Sequence, residues 1–190
     1  MEFNFENEED PLDLNMLNSP GFADMFSKND IIIFLVDAQS FTFVNPNIEE
    51  NNLTIVTNAY LSMLKSKIIS NPNNRFGLVL YNTQKQKNHF GLEHIWVAQA
   101  PDALTPGQIK EAEEFKNSLL GEVGVWNGEV SLRDALWVCH SLLKLAKVNA
   151  RAFDQRLFLF TVNDSPNSDS PAARAQTQEY ASVILSANGY

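Results

Sequence analysis

Hydrophobic and polar positions divide the chain into short apolar runs alternating with amphipathic stretches. The sharpest run is Ile31-Ile32-Ile33-Phe34-Leu35-Val36, which ends abruptly in Asp37. Neither parity of this segment is polar, so neither face can be left to water, and it reads as a strand in the middle of a parallel sheet. A helical pattern follows, with Val56, Ala59, Tyr60 and Met63 recurring on one face and an end expected near Ile69, before the turn cluster Ser70-Asn71-Pro72-Asn73-Asn74. Phe76 to Tyr81 is the next apolar strand, and Gly77 inside it predicts close packing against a neighbour. A polar loop, Asn82 to Asn88, leads to a shorter strand around Ile95-Trp96-Val97-Ala98. No helix separates these two strands, so they are expected to pair antiparallel as a hairpin.

Thr105-Pro106 has the form of an N-cap with proline at the first helical position, opening a charged helix through Glu114. The strongest helix starts at Ser131. Ser131 and Asp134 have capping-box spacing, and Leu132, Ala135, Leu136, Cys139, Leu142, Leu143 and Ala146 form a core-facing stripe that takes Cys139 inside. Arg156 to Thr161, containing Leu157-Phe158-Leu159-Phe160, reads as another buried strand. After a polar turn, Asn163 to Ser170, a last helix begins near Pro171 with Ala173, Tyr180 and Ile184 on one face, Gln178, Glu179 and Ser182 turned outward, and a C-cap at Asn188-Gly189. The order strand, helix, strand, strand, two helices, strand, helix is that of an α/β fold: a doubly wound, mostly parallel sheet with one antiparallel edge strand. A crossover helix returns the chain to its sheet, so a further strand is expected at Tyr190 and the fold is expected to be truncated at the carboxyl end.

Residues 1–29 break the pattern. They mix Glu2, Glu6, Glu8, Glu9, Asp10 and Asp13 with isolated apolar residues and keep no period, as a solvating acidic lead-in does, although an acidic-apolar tail can also be a docking peptide. Residues 30–190 then form one domain, the size a 190-residue chain with 44% hydrophobic content supports. The net charge of −9 and pI near 4.7 argue against this surface gripping a nucleic-acid backbone by itself. The single cysteine excludes an internal disulfide and a cysteine-rich zinc site, and suits a reducing compartment. With no apolar leader and no run of spanning length, the protein is expected to be soluble and intracellular, away from the membrane.

Chemistry is sparse. No G-x-x-x-x-G-K-[ST] or G-x-G-x-x-G element follows any strand, which argues against nucleotide hydrolysis. His89, His94 and His140 lack a histidine or cysteine partner at i+3 or i+4, and Cys139 reads as a structural core thiol. Trp126, in a glycine-bearing loop, is the one aromatic expected to be an exposed anchor. Asp37 closes the central strand, where open α/β sheets place ligands, but a hard cation needs several converging oxygens and one carboxylate is insufficient.

The sheet order with an aspartate closing the central strand resembles the von Willebrand factor A-like fold. That family's adhesion site carries D-x-S-x-S at this strand end. Asp37 matches the aspartate, whereas Gln39 and Phe41 stand at the two serine positions, and Thr161 is followed by Val162 and Asn163 where the family has an aspartate directly after its threonine. The resemblance therefore implies a degenerate site at Asp37, Gln39 and Phe41, with no metal and no other cofactor. The alternative it leaves open is a metal-dependent adhesion-type A domain that binds a protein ligand through Asp37, Ser40 and Asp164.

A closer resemblance rests on Ile33-Phe34-Leu35-Val36-Asp37-Ala38, Ser66-Lys67-Ile68-Ile69-Ser70, Ser131-Leu132 with Leu136-Trp137-Val138-Cys139, and Leu159-Phe160-Thr161 leading to Asp164-Ser165-Pro166. In this order, from about residue 30 to 190, they look like the amino-terminal domain of the smaller, seventy-kilodalton-type Ku subunit. The resemblance implies a nuclear heterodimer with the larger Ku subunit, acting on double-strand breaks in non-homologous end joining and at telomeres, with DNA ends held by a central β-barrel domain that this chain lacks. It implies a domain that supplies protein-contacting surface and is not an enzyme. The helix from Pro171 to Ser186 is the expected docking face, with Arg174, Gln178 and Glu179 as its contact residues. The family's lyase activity uses Schiff-base lysines; Lys28 lies near the relevant lead-in but does not match position for position.

Overall fold

A computed structural model describes residues 29–41, 52–126, 128, 130–146, 153–163 and 171–186. Four strands, β1 (Asn29–Asp37), β2 (Arg75–Tyr81), β3 (Ile95–Ala103) and β4 (Phe153–Phe160), form one sheet in the order β3-β2-β1-β4. Four helices accompany them: α1 (Asn52–Ser70), α2 (Pro106–Val123), α3 (Leu132–Ala146) and α4 (Pro171–Ser186). β1 runs parallel to both of its neighbours, pairing Ile33 with Gly77 on one side and with Leu157 on the other, while β3 returns antiparallel to β2. This is the doubly wound, mostly parallel sheet with an antiparallel edge expected above.

The run Ile31–Asp37 is buried throughout, because each parity has its own helical cover. Ile31, Ile33 and Leu35 pack with Val79, Ile95, Leu136, Cys139 and Leu143 beneath α3. Ile32, Phe34 and Val36 pack with Tyr60, Leu64, Phe76 and Leu80 beneath α1, and Ala112 and Phe115 of α2 join that layer. Gly77 is where two backbones meet: a Cβ there would lie 3.1 Å from Pro101 Cδ and 3.3 Å from Gln99 O. The β2–β3 register shifts between Phe76 and Leu78, and that irregularity accommodates Pro101 inside a strand.

Several local expectations change. Ala59 is exposed, and the buried face of α1 runs instead through Thr57, Tyr60, Leu61 and Leu64. β3 extends to Ala103, and α2 runs past Glu114 to Val123, stopping where Gly124 takes φ 66°. Thr105 caps α2 as expected, its Oγ1 accepting from Gln108 N at 3.2 Å. At α3 the Ser131 carbonyl receives the Asp134 N–H, but the Asp134 carboxylate is turned to the Arg133 guanidinium at 2.7 Å, so the capping box is not closed through it. The largest revision concerns β4. It is an edge strand that pairs only with β1 among the described strands, and Phe158 and Leu159 are 41% and 39% exposed. An apolar run by itself cannot tell an interior strand from an edge strand. The expected loop at Asn45-Pro46-Asn47, the side chains of Ala173 and Ile184, and the C-cap at Asn188-Gly189 lie outside the described residues and side chains.

The two strands should respond differently to truncation. Ile33→Ala, at a fully buried position, is expected to destabilise the chain by about 3 kcal/mol. Leu159→Ala should cost less than about 1 kcal/mol. Urea unfolding of both variants measures the difference, and equal losses would contradict the edge position of β4.

Candidate functional site

Asp37 ends β1 at the carboxyl edge of the sheet and is 1% exposed. A buried carboxylate survives only if its lone pairs are satisfied. Oδ1 accepts the Gln39 N–H at 3.0 Å, through the tight turn that begins at Ala38, and the Asn82 Nδ2 amide at 2.7 Å. Oδ2 accepts the Thr161 hydroxyl at 2.9 Å. The two distant donors follow from the register. Asp37 is paired with Tyr81, so the next residue of β2, Asn82, arrives beside it with the positive φ of 59° that asparagine tolerates. Val36 is paired with Phe160, so Thr161 arrives from the opposite side.

The Tyr81 hydroxyl is buried next to this carboxylate and Thr161, but closes no hydrogen bond of regular geometry. Burial, and then the Asp37 charge, push its ionisation well above the ordinary phenol range. The Tyr60 phenol is raised by burial as well, and it donates to Gln99 Oε1 at 2.7 Å.

Gln39 occupies a family serine position and has a different task. Its Nε2 donates to the carbonyls of Trp126 at 3.1 Å and Gly128 at 2.9 Å, clasping the segment after α2 over the strand end. Trp126 N completes the attachment through Asn82 O at 2.8 Å. The Trp126 indole, 38% exposed as expected of an anchor, stacks on His94 with ring centres 4.0 Å apart and planes 13° apart. His94 also has positive φ, 59°, and its Nδ1 lies 3.0 Å from Thr83 O, which assigns the proton to that nitrogen. At Gly128 a Cβ would stand 2.3 Å from Trp126 Nε1, so only glycine lets the indole lie there.

This arrangement is a knot of neutral donors around one carboxylate, closed by a glutamine clasp. Among the described residues no group of three or more histidines, cysteines, aspartates and glutamates converges. Asp37 and Thr161 meet directly, whereas the Ser40 and Phe41 side chains and all of Asp164 lie outside what is described. Arg174, Gln178 and Glu179 are not part of the knot: they are exposed on α4, whose other side rests on α3 through half-buried Tyr180 and an Arg133–Gln176 bond of 3.0 Å. Cys139 is fully enclosed and burial pushes its thiol up, which removes the thiolate a nucleophile needs. The roles of Asn82 and Gln39 were not read from the sequence. The signal for Asn82 was its place directly after an apolar strand parallel to the one that ends in Asp37.

The sequence model of the Ku70/Ku80 N-terminal alpha/beta domain matches residues 31–184. The chain belongs to the Ku amino-terminal domain family. It is 32% identical over 186 residues to the "ATP-dependent DNA helicase ku70" of Dictyostelium discoideum, covering 90% of this chain and 20% of that protein. It is 32% identical over 166 residues to the "X-ray repair cross-complementing protein 6" of Mus musculus, covering 80% and 26%. Against the "ATP-dependent DNA helicase 2 subunit KU70" of Arabidopsis thaliana it is 30% identical over 162 residues, covering 76% and 26%. The chain thus spans between a fifth and about a quarter of the length of these relatives. The von Willebrand factor A-like Ku fold expected from the strand order stands.

Two measurements probe the knot. Asp37→Ala leaves three donors without their acceptor and is expected to destabilise the chain by about 2–4 kcal/mol in urea titrations. Tyr81 favours its neutral form more in the folded than in the unfolded chain, so its contribution is intact below the ordinary phenol range and is lost as pH rises from about 10 toward the raised folded value. Urea midpoints at pH 8 and pH 11 should fall less in Tyr81→Phe than in the unaltered chain.

Proposed function

We propose that this domain is a protein-interaction module of a Ku-type DNA-end-binding complex. In that setting it serves double-strand break repair by non-homologous end joining, and telomere maintenance, in the nucleus, paired with a larger Ku subunit. The observation that carries the non-catalytic reading is the saturated Asp37: both oxygens are committed to internal donors, so the one carboxylate placed for ligand chemistry is spent on holding strands together. The relatives called helicase have no counterpart motif here, since no phosphate-cradling glycine loop follows any strand. DNA ends are contacted through the longer complex, in keeping with the net charge of −9. Protein contacts fall to the outer surface. The exposed face of α4, with Arg174, Gln178 and Glu179, offers a rigid polar helix for end-joining or telomere proteins.

The parent protein, co-expressed with a larger Ku-type subunit, is expected to co-purify with it and to retain blunt duplex ends; loss of both would refute the assignment. Combined alanine substitution of Arg174, Gln178 and Glu179 is expected to leave unfolding free energy within about 0.5 kcal/mol at each position. It should weaken capture of end-joining proteins while sparing the heterodimer. A large fall in melting temperature would instead make these residues structural.

A further inference from the structure

The end of the sheet opposite Asp37 has its own character. α1 and α3 both finish there, on opposite faces of the sheet, ahead of β2 and β4, and each leaves an apolar side chain in water in its last turn, so that Ile69, 86% exposed, and Leu145, 74% exposed, flank this end from its two sides. Cations accompany them. Lys67 and Lys144 occupy the last turns of the two helices, Arg75 opens β2 with its guanidinium over the Phe153 ring, and Arg156 reaches Asp30 from β4. Among the described residues the carboxylates at this end are Asp30, Asp102 and Asp154. Two donors are also unmet: Asn74 Nδ2 and Arg75 Nε are buried without a hydrogen-bond partner, while Asn74 Oδ1 receives the Asp30 N–H at 2.9 Å. An end that exposes aliphatic side chains among cations, over unsatisfied donors, calls for an apolar segment rich in carboxylates.

Such a segment is attached beside it. The lead-in joins β1 at Asn29, next to Asn74 and paired across from Phe153. Residues 1–28 contain seven carboxylates and one lysine, hence six of the chain's nine net negative charges, interspersed with Phe3, Phe5, Leu12, Leu14, Met16, Leu17, Phe22 and Phe26. We propose that the acidic lead-in docks in cis on this end of the sheet, with its carboxylates toward Lys67, Arg75 and Lys144 and its apolar residues on Ile69 and Leu145. Docking in this way makes the lead-in an internal competitor for any acidic-apolar partner segment that seeks the same surface.

Chymotryptic cleavage of the lead-in in the whole 190-residue chain tests this, because cleavage reports the undocked fraction when opening is fast. Two variants are compared with the unaltered chain: Lys67→Glu with Lys144→Glu, and a lead-in carrying Glu8→Gln, Glu9→Gln, Asp10→Asn and Asp13→Asn, which leaves the folded domain untouched. Each is expected to be cut about fivefold faster, as loss of two or more modest ion pairs implies. Raising salt to about 0.5 M should speed cleavage of the unaltered chain similarly. Equal rates in all three chains would overturn the proposal, and so would protection that grows with protein concentration, which would make the occupant a second copy.

Discussion

A strand with no polar face must be enclosed on every side, and the architecture follows from meeting that requirement at β1. Its odd and even positions need separate apolar layers, which α3 supplies on one face and α1 on the other. Both of its edges need partners, which β2 and β4 supply in parallel. Parallel pairing in turn demands long crossovers, so the chain between these strands has to be helical or looped and has to travel over the faces. The domain is thus organised outward from seven residues, and the position of Asp37 at their end is a consequence of that geometry.

The same geometry explains why the strand end is chemically quiet. In a site that holds a divalent cation, the ion neutralises a carboxylate and ties neighbouring loops together. Here the first task falls to the Asn82 amide, the Thr161 hydroxyl and the Gln39 N–H, and the second to the Gln39 side chain, which grips two carbonyls beyond α2. Neutral amides and one hydroxyl take both places with no exchangeable ligand. The strand end is instead a joint between β1, β2, β4 and the Trp126 segment.

Much of this was legible in the sequence because it rests on periodicity. The run from Ile31 to Val36, the α3 stripe, the proline-opened α2 and the tight approach at Gly77 each depend on local chemistry that residue types announce. What could not be read depends on neighbours. Leu157-Phe158-Leu159-Phe160 looks like an interior strand, and only the sheet order reveals that its outer side is open. Two helical stripes share Tyr60, one through Val56, Ala59 and Met63 and one through Thr57, Leu61 and Leu64, and only the packing against the sheet shows that the second is the more deeply buried. The aspartate was found, its lost serines were noted and Thr161 was set beside the family's threonine, but that Thr161, 124 residues away, and Asn82, 45 residues away, donate to the carboxylate itself follows from strand pairing, which no spacing rule reveals.

The two borders of the sheet are treated unequally. β3 is blunted by Pro101, by a shifted register and by the Lys87 backbone, which bridges Trp96 and covers part of its outer side. β4 has no such guard among the described residues, and Phe158 and Leu159, 41% and 39% exposed, lie along that border of the sheet, where another strand can pair. Between separate molecules, the remaining restraint is mutual repulsion, and a net charge of −9 supplies it at neutral pH. That repulsion fades toward the pI near 4.7, so acidity, more than any feature of the sheet, sets how strongly separate molecules are kept apart.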